Sequence, residues 1–195
     1  MTIIGDVHGK LNRYKEIVDR CDFSICVGDF GFKNEWDWYL KNVVENSAGF
    51  HYINPGNHDY GPYMSDRSIS LGNFSIFYKH EIFTVRGAWS IDKVYRTEGI
   101  DWFANEELTY QEGLECFDKY LEVKPEIVIS HDCPHSIRKY LFNIEQKSNT
   151  SNLLEAMFKE WQPKMWIFGH HHKSKQCKKG KTQFICLAEL ETLEI

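Results

Sequence analysis

The sequence has no long apolar run. Nothing in it approaches the roughly 20 consecutive apolar residues that a bilayer-spanning helix requires, so no membrane association is expected. The N-terminal segment MTIIGDVHGK lacks a basic stretch followed by an apolar one, so no signal peptide is expected. There is no basic excess either. Lys and Arg number 23 against 28 Asp and Glu, a net charge of −5. That balance argues against extended nucleic-acid binding and leaves room for a small phosphate site. None of the six cysteines, at 21, 26, 116, 133, 177 and 186, forms a CxxC pair. The usual spacing of a zinc–thiolate site is therefore missing, and reduced, buried thiols in a cytoplasmic protein are expected. No repeat, low-complexity tract or Pro/Gly/Ser linker divides the chain, so 1–195 reads as one domain.

What is present is an alternation of segment types. Met1–Ile4, Phe23–Val27 and Phe50–Ile53 are short apolar runs read as buried strands. Between them, Leu11–Asp19 and Glu35–Asn46 carry apolar residues at helical spacing. The stretch from 71 to 91 alternates apolar and polar residues and predicts antiparallel hairpins. A helix is expected from about Glu106 to Leu121, a strand at Ile127–Ile129, and a helix over Asn152–Trp161 capped by Ser151. A strand at Met165–Phe168 and a last one over 182–190 complete the chain. The Lys-rich 173–181 reads as a solvated hairpin. The order βαβαβ, then β-rich, then αβαβ, predicts an α/β layered domain.

The strands end in polar clusters: GDVHG at 5–9, GDFG at 28–31, GNHD at 56–59, SHD at 130–132 and GHHH at 169–172. In α/β sheets, chemistry collects in the loops beyond the carboxyl ends of strands. The candidate side chains are Asp6, His8, Asp29, Asn57, His58, His131, His170 and His172. Oxygen and imidazole donors without thiolate favour a borderline divalent metal: manganese, iron, zinc, nickel or cobalt. There are more donors than one ion needs, and two ions sharing a bridging carboxylate would use them. A pair of that kind clamps phosphate and activates water. Asp6 and His8, like His170 and His172, are two residues apart, so on extended backbone each pair would point into one site. Taken singly, each cluster also reads as a polar loop or a helix cap; Asp6 could cap the helix at 11–19.

Five motifs in this order resemble the calcineurin-like metallophosphoesterases, in particular short bacterial and phage members, from Gly5 to His172. The resemblance implies a four-layer α/β/β/α sandwich with two divalent transition-metal ions, manganese foremost, at the sheet ends. It implies that Asp6, His8 and His172 hold one ion, that Asn57, His131 and His170 hold the other, and that Asp29 bridges them. A hydroxide held between the ions would attack phosphorus in line. His58 would stand beside the scissile phosphate, and Asp59 is a candidate partner that orients it.

The match has departures. Protein Ser/Thr phosphatases of the superfamily carry GDxVDRG and GNHE, where this chain has GDFGFKN and GNHD. The missing arginine shifts the expectation toward phosphodiesters, nucleotides or other small phosphorylated substrates. A protein phosphatase and a non-catalytic scaffold of the same fold are the alternatives. Arg86, Lys93 or Arg96 could supply the cation instead. His51, His80, His135 and His171 fall outside the motif set and read as structural or surface residues. Trp36, Trp38, Trp89 and Trp102 read as core or pocket wall.

Overall fold

The computed structural model describes residues 1–195. In chain order the elements are β1 (Thr2–Ile4), α1 (Leu11–Val18), β2 (Phe23–Cys26), α2 (Lys33–Tyr39), β3 (Phe50–Ile53), α3 (Gly61–Met64), β4 (Phe74–Phe77) and β5 (Ile82–Val85). Then come α4 (Tyr110–Val123), β6 (Ile127–Ser130), α5 (His135–Phe142), α6 (Asn149–Glu160), β7 (Met165–Phe168), β8 (Lys175–Lys179), β9 (Thr182–Cys186) and β10 (Thr192–Glu194).

The strands form two sheets, β10-β1-β2-β3 and β4-β5-β6-β7-β9-β8. β1, β2 and β3 run parallel, as do β5, β6, β7 and β9. The outer strands β10, β4 and β8 are antiparallel to their neighbours.

Alternation along the strands explains the layering, because successive side chains leave opposite faces of a sheet. Ile3, Ile25, Ile129 and Ile167 point inward and form one core between the two sheets. Their neighbours Ile4 and Cys26 pack outward with Tyr14, Val18, Trp36 and Tyr39 of α1 and α2. On the other sheet Val128, Trp166 and Phe168 pack outward with Cys116, Tyr120, Ile137, Leu154 and Met157 of α4, α5 and α6. Three cores between four layers give the α/β/β/α sandwich. Both faces of the parallel strands are covered, which is why those strands read as nearly continuous apolar runs.

Several elements differ from the sequence reading. α4 starts at Tyr110 rather than near Glu106, because Thr109 caps it: its hydroxyl accepts from Glu112 N–H while Glu112 accepts from Thr109 N–H. Ser148, not Ser151, caps α6, and its Oγ accepts from Ser151 N–H at 3.0 Å. α2 ends at Tyr39 and a π-helical turn over Leu40–Val44 continues it. α5 and β10 are elements that the sequence pattern did not predict. The strand expected over 182–190 is β9, and it stops at Cys186, well short of 190. The lysine-rich segment does form one arm of a hairpin, β8–β9.

Candidate metal centre

The carboxyl ends of β1, β2 and β3 are in register: Ile4 lies opposite Cys26, and Cys26 opposite Ile53. Ser130 lies likewise opposite Phe168 in the second sheet. The five motif loops therefore leave the sandwich along one edge. Backbone bonds tie them together, Val7 N–H to Asp29 O at 3.2 Å and Gly169 N–H to His131 O at 3.1 Å.

Two donor sets meet there. In one, Asp6, His8, Asp29 and His172 each offer an atom within 4.8 Å of the others; in the second, Asp29, His131 and His170 do the same. Asp29 belongs to both. The Oδ1 atom of Asn57 lies 3.0 Å from His131 Nε2 and so joins the second set. Asp6, Asp29, Asn57 and His131 are buried, whereas His172 stands at the solvent rim.

Their orientations are fixed by bonds away from the centre. His131 Nδ1 lies 3.0 Å from Val27 O, an acceptor only, so Nδ1 carries a proton and Nε2 faces Asp29 Oδ1 at 3.1 Å. Asp6 Oδ2 accepts from His170 N–H, and Asp29 Oδ1 from His58 N–H, both at 2.8 Å. The Asn57 amide nitrogen donates to Ser90 Oγ at 2.9 Å, and Ser90 Oγ donates to Glu106 Oε2 at 2.5 Å. That chain turns the Asn57 oxygen toward His131. Ser90 and Glu106 come from loops outside the five donor motifs, and nothing in their spacing singles them out.

Asp6 Oδ1 and Asp29 Oδ2 are buried with no hydrogen-bond partner. Unpaired buried carboxylate oxygens are costly, and here they face imidazole nitrogens. His8, Asp29, His170 and His172 have φ of 46°, 50°, 64° and 51°. Four non-glycine residues in left-handed backbone at one site is strain of the kind retained at functional centres. A Cβ on Gly56 would stand 2.2 Å from Asp29 Oδ1, and one on Gly169 2.1 Å from Asp6 Oδ1, so both positions require glycine. Buried acids, imidazoles and an amide oxygen, with unpaired oxygens turned inward, fit borderline divalent cations.

The electrostatics agree. Burial pushes the Asp6 carboxyl up to about 8, with His131 pulling it down. Burial would also raise Asp29, but His131 against it holds it well below the usual carboxylate range. Burial would lower His131, yet Asp29 and Asp6 push it up to about 10. Burial takes His170 down to about 3 and lowers His8 and His58.

Two sequence expectations change. Asp59 does not orient His58. Its carboxylate accepts from Phe30, Gly31 and Gly56 N–H at 2.8, 3.0 and 2.7 Å and from the Trp36 indole at 3.1 Å. These N–H donors fit the ionised form, although burial and Asp29 raise the group to about 7. His58 instead has its Nε2 3.5 Å from Arg96 Nη2, and Arg96 is held by Asp92 at 2.6 Å. Second, the two-residue parity expectation is met by Asp6 and His8, which share a set, and fails for His170 and His172. β1 stops at Ile4 and β7 at Phe168, the loops beyond turn through left-handed residues, and His170 and His172 fall into different sets. His171, expected to be structural or surface, is structural: its side chain is 6% exposed and lies 3.4 Å from Asp132.

Of the candidate cations, Arg86 is buried on Asn73 and the Asn105 carbonyl, and Lys93 sits over the Trp89 and Trp102 rings. Arg96 alone of these lines the cleft, a space of about 670 Å³ above His8, Asp29 and His170. Trp89 forms part of its wall, whereas Trp36 is core. His51, bonded to Ser24 and Ser47, is structural.

Fold and site together define a phosphoesterase with a dimetal architecture. Residues 1–174 match the calcineurin-like phosphoesterases, and the chain belongs to that family, whose members are metal-dependent phosphoester hydrolases. No curated protein matches the sequence. Among solved structures the chain is similar to a dimetal phosphatase from Danio rerio at 11% identity and TM-score 0.56, with 97% of this chain and 87% of that one covered. It is similar to phosphopantetheinyl hydrolase from Mycobacterium tuberculosis at 15% identity and TM-score 0.52, with 96% and 89% covered. A putative 5′-nucleotidase from Staphylococcus aureus matches at 16% identity and TM-score 0.53, with 96% and 48% covered. At these identities the likeness is one of fold. No helix is long and apolar enough to cross a membrane.

Proposed function

We propose that this chain, acting as one catalytic unit over 1–195, hydrolyses a small phosphodiester or nucleotide with two divalent cations, manganese foremost. The observation that carries this reading is Asp29, buried and common to two donor sets. In this reading Asp6, His8 and His172 hold one ion, Asn57, His131 and His170 hold the other, and Asp29 touches both. Bound there, the ions supply Lewis-acid charge to the phosphoryl oxygens and activation of the attacking water.

The chain's own residues do the rest. Ser90 and Glu106 hold the Asn57 amide so that its oxygen, not its nitrogen, faces inward. Val27 O fixes the His131 tautomer. His58, outside both sets, presents its ring to the cleft and donates a hydrogen bond to the phosphoryl or leaving oxygen. Arg96, beside it, supplies the cation that the missing Asp-Arg pair would have given, so it binds phosphate from a different loop. The cleft is in the size range of small-ligand sites. The nucleotidase and the phosphopantetheinyl hydrolase among the similar folds support a small phosphorylated substrate over a phosphoprotein. Six unpaired cysteines support a cytoplasmic location.

The test is turnover by metal-free protein reloaded with manganese, iron, zinc, nickel or cobalt. The panel contains bis(p-nitrophenyl) phosphate, cyclic nucleotides, nucleotides and a phosphopeptide. Metal-dependent cleavage of diesters or nucleotides, best with manganese, is expected. Cleavage of the phosphopeptide alone, or of nothing, contradicts the reading.

A further inference from the structure

We propose that Arg138 forms a second anion subsite in the cleft, which takes a phosphate of the substrate other than the one attacked. This rests on the phosphoesterase reading above and narrows its substrate class to esters carrying a second phosphoryl group, nucleoside diphosphates first among them.

Arg138 lies on α5, directly after the SHD loop, and is 2% exposed. It nevertheless forms part of the cleft wall, with His170, His171 and Gln146. A guanidinium has five N–H donors in a planar fork and cannot give up its charge. Only one nitrogen is engaged: Nη1 donates to Asp132 Oδ2 at 3.0 Å. Nε and Nη2 are buried and have no partner. Buried donors without an acceptor cost stability, so such groups call for an explanation, and a ligand seated in the cleft, with a small shift of the wall to admit its oxygens, supplies the acceptor.

Asp132 cannot satisfy the rest. Its Oδ1 accepts from Cys133 N–H at 2.7 Å and faces His171 Nε2 at 3.4 Å. The His171 ring is stacked on Phe142 with centroids 4.0 Å apart, so this side is immobilised as well. The result is an arginine gripped at one nitrogen by a fixed acid, with two further nitrogens unused. That is the arrangement a phosphate oxygen pair meets best. Asp132, Cys133 and His171 also lie close enough together to suggest a third cation site. The guanidinium on Asp132 argues against that, since a cation there would face a permanent positive charge.

Arg138 and Arg96 play separate parts. Arg96 stands beside His58, whereas Arg138 stands with His170 and His171. A substrate with one phosphate engages the ions and Arg96. A substrate with two engages Arg138 as well.

The experiment is calorimetric titration of the manganese-loaded protein with the phosphonate analogue of AMP, in which a methylene replaces the 5′ oxygen so that it resists cleavage, and with α,β-methylene-ADP, which has a second phosphorus and resists cleavage between the two. Wild type should bind the two-phosphate ligand about tenfold more tightly, and Arg138→Lys, which keeps the charge but loses the fork, should abolish that preference. Equal affinities in wild type overturn the proposal. So does a preference that survives in Arg138→Lys, which would assign it to the ions. Thermal melting of each protein checks the fold, and if Arg138→Lys does not fold, Arg138→Gln is measured in its place and read against the same two outcomes. Failure of the loaded wild type to cleave bis(p-nitrophenyl) phosphate counts against the hydrolase reading instead, and the binding comparison stands independently of it.

Discussion

The Nε2 atoms of His8 and His172 stand 2.8 Å apart, although 164 residues separate them in the chain. His172 Nε2 is also 3.5 Å from Asp6 Oδ2, and His8 Nε2 is 3.6 Å from Asp29 Oδ2. Two imidazole nitrogens facing each other need a proton or a cation between them. Acids on both sides favour positive charge there, a proton or an ion, and the strained backbone at both histidines is what brings them face to face.

This arrangement separates shared from unshared positions. His172→Ala should lower the metal content from two ions per chain toward one, while Asp29→Ala should abolish both sites. Activity should fall in each by more than the roughly 10–100-fold typical of outer-shell partners. Elemental analysis of the purified variants reads this directly. Two ions retained in Asp29→Ala would remove the bridging role.

His58 and Arg96 should act on turnover and binding rather than on metal content. His58→Ala is expected to keep both ions and lose about 10²–10⁴-fold in kcat. Arg96→Ala should mainly raise KM, by about 10–100-fold, the range of a lost charge-assisted hydrogen bond. Steady-state kinetics with parallel metal analysis tests both. A metal-depleted His58→Ala protein would make that residue a ligand instead.

Removal of metal should make stability depend on pH in a defined direction. Without ions Asp6 holds its proton to about 8 and His131 to about 10, against ordinary values of 3.8 and 6.5. The raised Asp6 destabilises the fold progressively from pH 3.8 to 8. The stability that His131 contributes is complete below 6.5 and is lost as pH rises through about 10. Above pH 7, where Asp59 and the lowered His8, His58 and His170 have largely finished titrating in both states, the folded chain up to pH 8 holds protons on Asp6 and His131 that the unfolded chain has released, and the metal-free melting temperature should fall with rising pH. Metal ions displace these protons, so the loaded protein should not show the fall and metal affinity should rise with pH. Melting curves with and without chelator decide this. A metal-free protein that gains stability over that window contradicts the assignment.

Gly169→Ala tests the close packing under Asp6. The new Cβ would meet Asp6 Oδ1 at 2.1 Å. Overpacking of this kind costs about 1–3 kcal/mol and would also turn the carboxylate away. Lower thermal stability together with weaker metal binding is expected. Unchanged values for both would mean that the loop has more room than the geometry indicates.

Asp59→Ala separates a structural acid from a catalytic one. Three backbone N–H groups and the Trp36 indole lose their acceptor. With about 1–3 kcal/mol for each unsatisfied buried donor, the cost should reach at least about 3 kcal/mol. Chemical denaturation measures it. A fully stable variant with impaired turnover would return Asp59 to the role of His58 partner.

Much of this was legible in the sequence because strand ends are written locally. GDVHG, GDFG, GNHD, SHD and GHHH each mark a parallel strand that stops and a loop that carries donors, and the strand register gathers them at one edge. The two sheets were legible only through the family resemblance, which implies α/β/β/α; in the residue pattern Ile25 and Ile129 look alike as strand residues, and only packing assigns them to separate sheets. α5 was hidden because its eight residues follow Cys-Pro in a donor-rich loop. The cap of α4 was present as Thr109-x-x-Glu112 but was passed over for an earlier start. Asp59 follows His58 in sequence, but neighbours in sequence need not be neighbours in side-chain contact: Asp59 points to the Phe30, Gly31 and Gly56 N–H groups and His58 to the cleft. The Arg138–Asp132–His171 cluster and the Ser90–Glu106 chain are tertiary contacts with no local signature.

The most direct test is anomalous diffraction from crystals soaked in manganese. Two peaks should appear, one among Asp6, His8 and His172 and one among Asn57, His131 and His170, with Asp29 between them. A single peak, peaks elsewhere, or no peak at this edge of the sandwich would contradict the account.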